Sequence, residues 1–294
     1  LLWARQKEGK KVGEVKVVVD TAVSMPPELV EKYGFGMARY AVQFGDESFV
    51  DNGTDLTEDE FETKRTESGL VPKTAIPSTG QLIEIYRAIA KPGDTIFSVH
   101  TGGKISGIVS TARIAAQEVT DRDVVVIDSD IVSMTAGFMA IEAAEAGAAG
   151  KSKEEIVVLI DDLRDQTDFF SVSVELEYIK ESGRIIGGDT AADSAVKNVP
   201  IIRFQDGKPG VTEQARTQNG ALKRIIEMVK ERAGGKPIKR LAVIHANREP
   251  VALKYRDLVE KELAPQEIIF GQLGTTLMVH LGPGALTTCV QYGE

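Results

Sequence analysis

Three apolar runs set most of what this chain can fold into. They are VKVVVD (15–20), DTIFSVH (94–100) and DVVVID (123–128), and each leads into a stretch whose apolar residues recur at helical spacing. The runs are close to continuous, which suits a strand covered on both faces. Strands of this kind separated by helices pair in parallel, because the crossover needs a helix-length connection. Residues 14–165 are therefore expected to form an N-terminal three-layer α/β/α domain with a mainly parallel sheet. Local signals punctuate it: Pro26 and Pro27 near a helix start, Gly34 as a stop and Ser78 as an N-cap. MARYAVQFG (37–45) reads as one strand ending in a turn at Gly45-Asp46, and TDLTEDEFETKRTESG reads as a short helix.

The pattern changes between Lys151 and Phe169. An amphipathic stretch, SKEEIVVLIDDLRDQ, leads into DFFSVSV and then PIIRFQDGKPGVTEQAR, a hairpin with its turn at Asp206-Gly207. Helix, strand and helix follow, as NGALKRIIEMVKERAG, RLAVIHA and REPVALKYRDLVEKEL. Residues 166–294 are expected to form a C-terminal two-layer α+β domain. The basic stretch 1–13 reads as an N-terminal extension. A length of 294 residues suits two domains.

Charge and cysteine usage narrow the function. The net charge of −9 argues against nucleic acid as a partner, since phosphates call for clustered Lys and Arg. The single cysteine, Cys289, placed beyond the last strand, cannot form an internal disulfide, and no Cys/His metal pattern accompanies it. No apolar run approaches the ~20 residues of a membrane-spanning helix. The expectation is a cytoplasmic protein with no integral membrane insertion, no metal and no cofactor. GGKISG lacks the spacing of a phosphate-binding P-loop, and SGRIIGG lacks the setting of a dinucleotide fingerprint.

Three turns at strand ends carry hydroxyls and glycines: Asp20 to Ser24, Thr101 to Ser106 and Asp128 to Thr135. Ligands of open parallel sheets bind beyond the carboxyl ends of the strands, where helix N-termini favour anions. The same hydroxyls also serve as helix caps. In VPKTAIPS, Pro72 and Pro77 keep Thr74 extended. The three histidines, His100, His245 and His280, are each expected at the end of an apolar strand, His280 just before the glycine-rich LGPGAL. No Ser-His-Asp set is recognisable from spacing.

Taken in order, these motifs resemble the DegV family of bacterial fatty-acid-binding proteins from about Val15 to the end. VVVDTAVSMP is similar to its opening Asp-Ser-Thr-Ala-Asp-Leu-Pro, VPKTAIPS to its Pro-Lys-Thr-Ser-Gln-Pro-Ser loop, and HTGGKISG to its Ser-Ser-Lys-Leu-Ser-Gly turn. VVVIDSDIVSMTAG, YIKESGRI, VPIIRFQDGK and MVHLGPGAL resemble its later motifs. The resemblance implies a long-chain fatty acid in a tunnel between the domains. It places the carboxylate near Thr74, Ser106 and His280, with Gly102 and Gly103 where the family carries serines, so that backbone N–H groups would stand in for hydroxyls. Thr21, Ser129, Ser133, Gly282 and Gly284 are the matching cleft positions. It further implies a carrier with no catalytic residues, which presents the acid to a fatty acid kinase for phospholipid synthesis, with Arg216 at the partner contact. Without the resemblance, an α/β enzyme remains the alternative: a hydrolase or transferase acting on a small anionic or phosphorylated substrate, with His280 or His245 as acid/base. A module binding another amphipathic molecule is the third reading.

Overall fold

The structure, a computed structural model, describes residues 13–187 and 198–293. The N-terminal extension, apart from Gly13, lies outside the described residues. The chain opens with β1 (Val15–Asp20), a 3-10 turn at Thr21–Val23, α1 (Pro27–Tyr33) and β2 (Gly36–Ala38). It continues through β3 (Ala41–Phe44), β4 (Glu47–Val50), α2 (Glu58–Ser68), β5 (Lys73–Ala75) and α3 (Thr79–Ile89). β6 (Thr95–His100), α4 (Ile108–Glu118), β7 (Asp123–Asp128), α5 (Met134–Ala148) and α6 (Lys153–Leu163) follow.

β2, β1, β6 and β7 form a wholly parallel sheet in that order. Its two faces are covered by different helices. A Cβ on Gly36, which pairs with Val18, would meet Ile85 and Ile89 of α3 at 3.2 and 3.0 Å. Val15 sits on the other face against Gly147 of α5. Burial from both sides is why Val17, Val18 and Val19 need no polar alternation. Capping boxes at Thr57 with Glu60, Ser78 with Gln81 and Ser152 with Glu155 start α2, α3 and α6 where the sequence places helix starts.

MARYAVQFG is not one strand. It breaks at Arg39-Tyr40, and its halves join different sheets. Met37 and Ala38 pair with β1, whereas Ala41 pairs with both Val50 and Ala75 in a three-stranded antiparallel sheet, order β4-β3-β5. At the break the Tyr40 N–H leaves the ladder and donates to Thr21 Oγ1 (3.1 Å).

The second half supplies β8 (Thr167–Val172), α7 (Leu176–Ser182), β9 (Val199–Gln205), β10 (Lys208–Ala215) and α8 (Gln218–Ala233). Then come β11 (Ile238–His245), α9 (Glu249–Leu263), β12 (Glu267–Gln272), α10 (Thr275–Leu281) and β13 (Leu286–Tyr292). The six strands form a mixed sheet in the order β10-β9-β8-β13-β11-β12, in which β11 and β12 run parallel and the other neighbours antiparallel. The fold is thus α/β with a parallel sheet and a separate mixed sheet. Asp206 and Gly207 both adopt positive φ (+50° and +72°), as a two-residue type I′ hairpin requires. The Lys104 ammonium donates to the Asp206 carbonyl (2.7 Å), which ties this turn to the other half.

Two placements differ from the sequence expectation. Cys289 lies inside β13, fully buried, rather than beyond the last strand. His280 lies in the last turn of a helix, α10, and not at a strand end. The reason for the helix is remote in sequence: the Asp51 carboxylate accepts from Thr275 Oγ1 (2.9 Å), from the Thr276 N–H (3.2 Å) and from Thr276 Oγ1. A carboxylate at a helix N-terminus satisfies donors the helix cannot.

α5 joins the halves. Eleven of its fifteen residues are buried, and it packs against β1 and β6 of one sheet and β8 and β13 of the other. A helix apolar on every side is buried on every side. Its one buried charge, Glu142, accepts from Lys239, Arg240 and Gln291 Nε2 (2.8 Å for the last). Arg240 also donates to Glu145 and Glu267, both at 2.8 Å. Burial pushes the Glu142 carboxyl up, but the hydrogen bonds from Lys239 and Gln291 and the Arg240 charge outweigh it, so its pKa ends below the usual range.

Candidate functional site

A cavity opens between the two sheets, beyond the carboxyl ends of β1 and β6. Its walls are mainly apolar: Ile76, Ile105, Val132, Phe169, Ile185, Ile202, Phe204, Leu277 and Leu281 among others. Its volume is about 140 Å³. Its polar lining consists of Tyr40, Thr74, Thr101, Ser106, Arg184, Thr276 and His280.

Each head-group candidate reaches the cavity from a different element. Thr74 is carried by β5, paired with Val42. Ser106 closes the turn after β6, where its N–H donates to the Gly102 carbonyl (3.1 Å). Its Oγ accepts from the Ile108 N–H (3.3 Å), so it also caps α4, and it lies 2.6 Å from Tyr40 Oη. His280 projects from the end of α10. Its Nδ1 is buried and has no hydrogen-bond partner among the described residues. Burial, then the nearby Arg184 charge, lowers its pKa to about 4, so the imidazole is neutral near pH 7. An unpaired buried nitrogen costs about 1–3 kcal/mol.

Arg184 and Tyr40 are absent from the sequence reading. Arg184 follows Gly183, whose positive φ (+60°) ends α7, and its guanidinium also donates to the Ser182 carbonyl (2.9 Å). The Gly-Arg pair at the end of YIKESGRI was the available signal. Tyr40 had none, because its position follows from the strand break.

Gly102 and Gly103 do not line the cavity. The Gly102 N–H donates to the Ile131 carbonyl (2.8 Å) and the Gly103 N–H to Asp128 Oδ1 (2.9 Å). Neither amide is free to hold a head group, which corrects the expectation that they replace hydroxyls. They are glycines because a Cβ would lie 2.9 Å from the Asp130 carbonyl carbon or 2.6 Å from Asp128 Oδ2. The further cleft positions also lie elsewhere. Thr21 lines a separate groove with Ser24, Asp51 and His245. Ser129 closes its own turn, donating to the Ile131 carbonyl (3.0 Å), beside a cleft holding Lys104 and Arg164. Ser133 is buried at the start of α5. Gly282 and Gly284 shape the turn after α10 at φ +75° and +76°, packed on Tyr178 and Val174. Arg216 is exposed between β10 and α8.

A Ser-His-Asp geometry does exist. Ser98 Oγ lies 2.7 Å from His100 Nε2, and His100 Nδ1 lies 3.2 Å from Asp20 Oδ2. All three residues are fully buried, and Tyr86 Oη engages the Ser98 hydroxyl (2.8 Å). A nucleophile needs an oxygen that faces substrate. The trio instead holds the turn: Asp20 also accepts from the Thr101 N–H (2.8 Å), Thr101 Oγ1 (2.9 Å) and the Ala22 N–H (3.1 Å). Among the described residues no group of three His, Cys, Asp or Glu is placed to hold a metal ion, and no helix is long and apolar enough to cross a membrane.

Comparison with known proteins places this arrangement. The family model described as "Uncharacterised protein, DegV family" matches residues 14–292. A DegV domain-containing protein of Clostridium acetobutylicum is 29% identical over 276 residues, 92% of this chain and 95% of that protein. The crystal structure of DegV from Bacillus subtilis, described as a fatty acid binding protein, superposes with a TM-score of 0.84 at 29% identity, over 96% of this chain and 100% of that one. A DegV family protein from Thermus thermophilus, described by its fatty acid binding, gives a TM-score of 0.88 at 25% identity, over 95% of this chain and 100% of that one.

Proposed function

This chain belongs to the DegV family, and from that premise we propose that it is a lipid carrier holding a long-chain fatty acid between its two domains, residues 14–165 and 166–294. The carboxylate lies among Thr74, Ser106, His280 and Arg184, and the acyl chain runs along the apolar walls. The observation that carries this reading is the gathering of these four groups in one otherwise apolar cavity, with a buried His280 nitrogen unpaired. The fatty acid binding described for the Bacillus and Thermus relatives supports it.

The chemistry is consistent. An acyl chain gains about 0.8 kcal/mol per buried CH₂, so the walls supply the affinity and the polar end sets the orientation. Neutral His280 and the hydroxyls donate to the carboxylate, and Arg184 supplies the opposing charge. In this reading the protein is cytoplasmic and has no catalytic residue or cofactor of its own. It presents the carboxylate to a fatty acid kinase, with Arg216 at the contact, and the acyl phosphate enters phospholipid synthesis.

Denaturing extraction of the purified protein followed by mass spectrometry tests the proposal. A near-stoichiometric long-chain fatty acid is expected, and a folded Thr74→Ala/His280→Ala double variant should retain much less. An empty extract, repeated after incubation with a panel of fatty acids, would overturn it.

A further inference from the structure

Ser106 does not meet the cavity alone. Its Oγ lies 2.6 Å from Tyr40 Oη, and both residues line the cavity. Tyr40 is 4% exposed. Burial and the charge on Asp20 push its pKa well above the ordinary phenol value, so it keeps its hydrogen.

The other donors on this wall are engaged elsewhere. The Gly102 and Gly103 amides go to Ile131 and Asp128, and the Thr101 amide and hydroxyl both go to Asp20. The Ile108 N–H already donates to Ser106 Oγ. Two bonded hydroxyls carry two hydrogens, and their mutual bond uses one of them. The Thr101 hydroxyl also engages the Tyr40 phenol. When Tyr40 donates to Ser106, the serine hydrogen is left for the cavity, and in that arrangement one donor remains.

We propose that Tyr40 and Ser106 act as one hydroxyl pair that donates a single hydrogen bond to the ligand's carboxylate, which makes Tyr40 a head-group-selecting residue. This rests on the fatty acid reading of the cavity. It assigns to a phenol, brought in by the break between β2 and β3, the role that the glycines at 102 and 103 do not fill. A carboxylate, which only accepts hydrogen bonds and carries charge, gains more from the pair than a neutral ester does.

The test is the dissociation constants of oleate and methyl oleate for the parent, Tyr40→Phe, Ser106→Ala, the Tyr40→Phe/Ser106→Ala double variant and the Thr74→Ala/His280→Ala double variant. Tyr40→Phe keeps the ring, so packing is preserved, and thermal unfolding checks this. Either hydroxyl left alone still carries one hydrogen for the carboxylate, so each single variant should weaken oleate no more than about threefold. The double hydroxyl variant removes both and should weaken oleate about tenfold or more, as loss of a hydrogen bond to a charged group does, while changing methyl oleate less than twofold. If the double hydroxyl variant binds oleate as the parent does while the Thr74/His280 variant is weakened, the pair is wrong and the fatty acid reading stands. Equal weakening of both ligands in the double hydroxyl variant would make Tyr40 and Ser106 packing residues and overturn the pair. A parent protein that binds neither ligand overturns the reading of the cavity and the pair with it.

Discussion

A single imidazole shows how burial chooses a protonation state. Burial, with the Arg184 charge adding to it, lowers His280 from an ordinary 6.5 to about 4. Between those values the unfolded chain binds a proton that the folded chain does not. Stability therefore rises with pH across this window, and is lost as pH falls from about 6.5 towards about 4. Burial shifts His245 in the same direction. His280→Gln removes one contributor, so its urea unfolding free energy should fall less between pH 7 and pH 5 than the parent's. An equal fall in both would mean that His280 keeps an ordinary pKa in the folded protein. The same residue lines the cavity, so its neutral form serves both the fold and the site.

Elements are placed by contacts that single residues permit. α5 approaches β1 closely because Gly147 lacks a side chain: a Cβ there would lie 2.5 Å from Val15 Cβ. Gly147→Ala would gain about 1 kcal/mol of helix propensity. Overpacking against Val15 costs about 1–3 kcal/mol and should win. The variant is expected to be less stable by about 1 kcal/mol in equilibrium unfolding, and a stabilised variant would refute the close approach. α10 illustrates the opposite dependence. It has seven residues, too few to persist alone, and Asp51 caps it from the loop after β4. The element that carries His280 is thus held by a residue more than 200 positions earlier.

Across the whole molecule the two sheets meet through α5 and its ion cluster. Arg240 is only 5% exposed, and Glu142, Glu145 and Glu267 all face it. Glu142→Ala leaves Lys239, Arg240 and Gln291 without their shared acceptor. Removing one partner of a buried pair costs about 3–5 kcal/mol, and the two remaining carboxylates should reduce this to roughly 2–3 kcal/mol. Because the cluster anchors α5, which packs on both sheets, the variant should also release bound fatty acid faster, measured by exchange against labelled oleate. Lost stability with unchanged exchange would separate the cluster from the site.

Much of this was legible in sequence because the signals are local or ordered along the chain. VKVVVD, DTIFSVH and DVVVID specify buried parallel strands through their own composition. Ser78 with Gln81 and Asp206 with Gly207 specify a helix start and a hairpin turn within four residues. The succession of motifs specified the family, and the two prolines around Thr74 kept it in an extended strand. The rest depended on segments far apart in the chain. Tyr40 meets Ser106 across 66 positions, and Asp51 caps α10 across 225. The Gly102 and Gly103 amides look open in sequence and are closed by the turn after β7. Residue type and spacing report what a segment can offer. Which offers are taken up depends on the partner that packing brings within hydrogen-bonding distance, and that is decided only when the sheets come together.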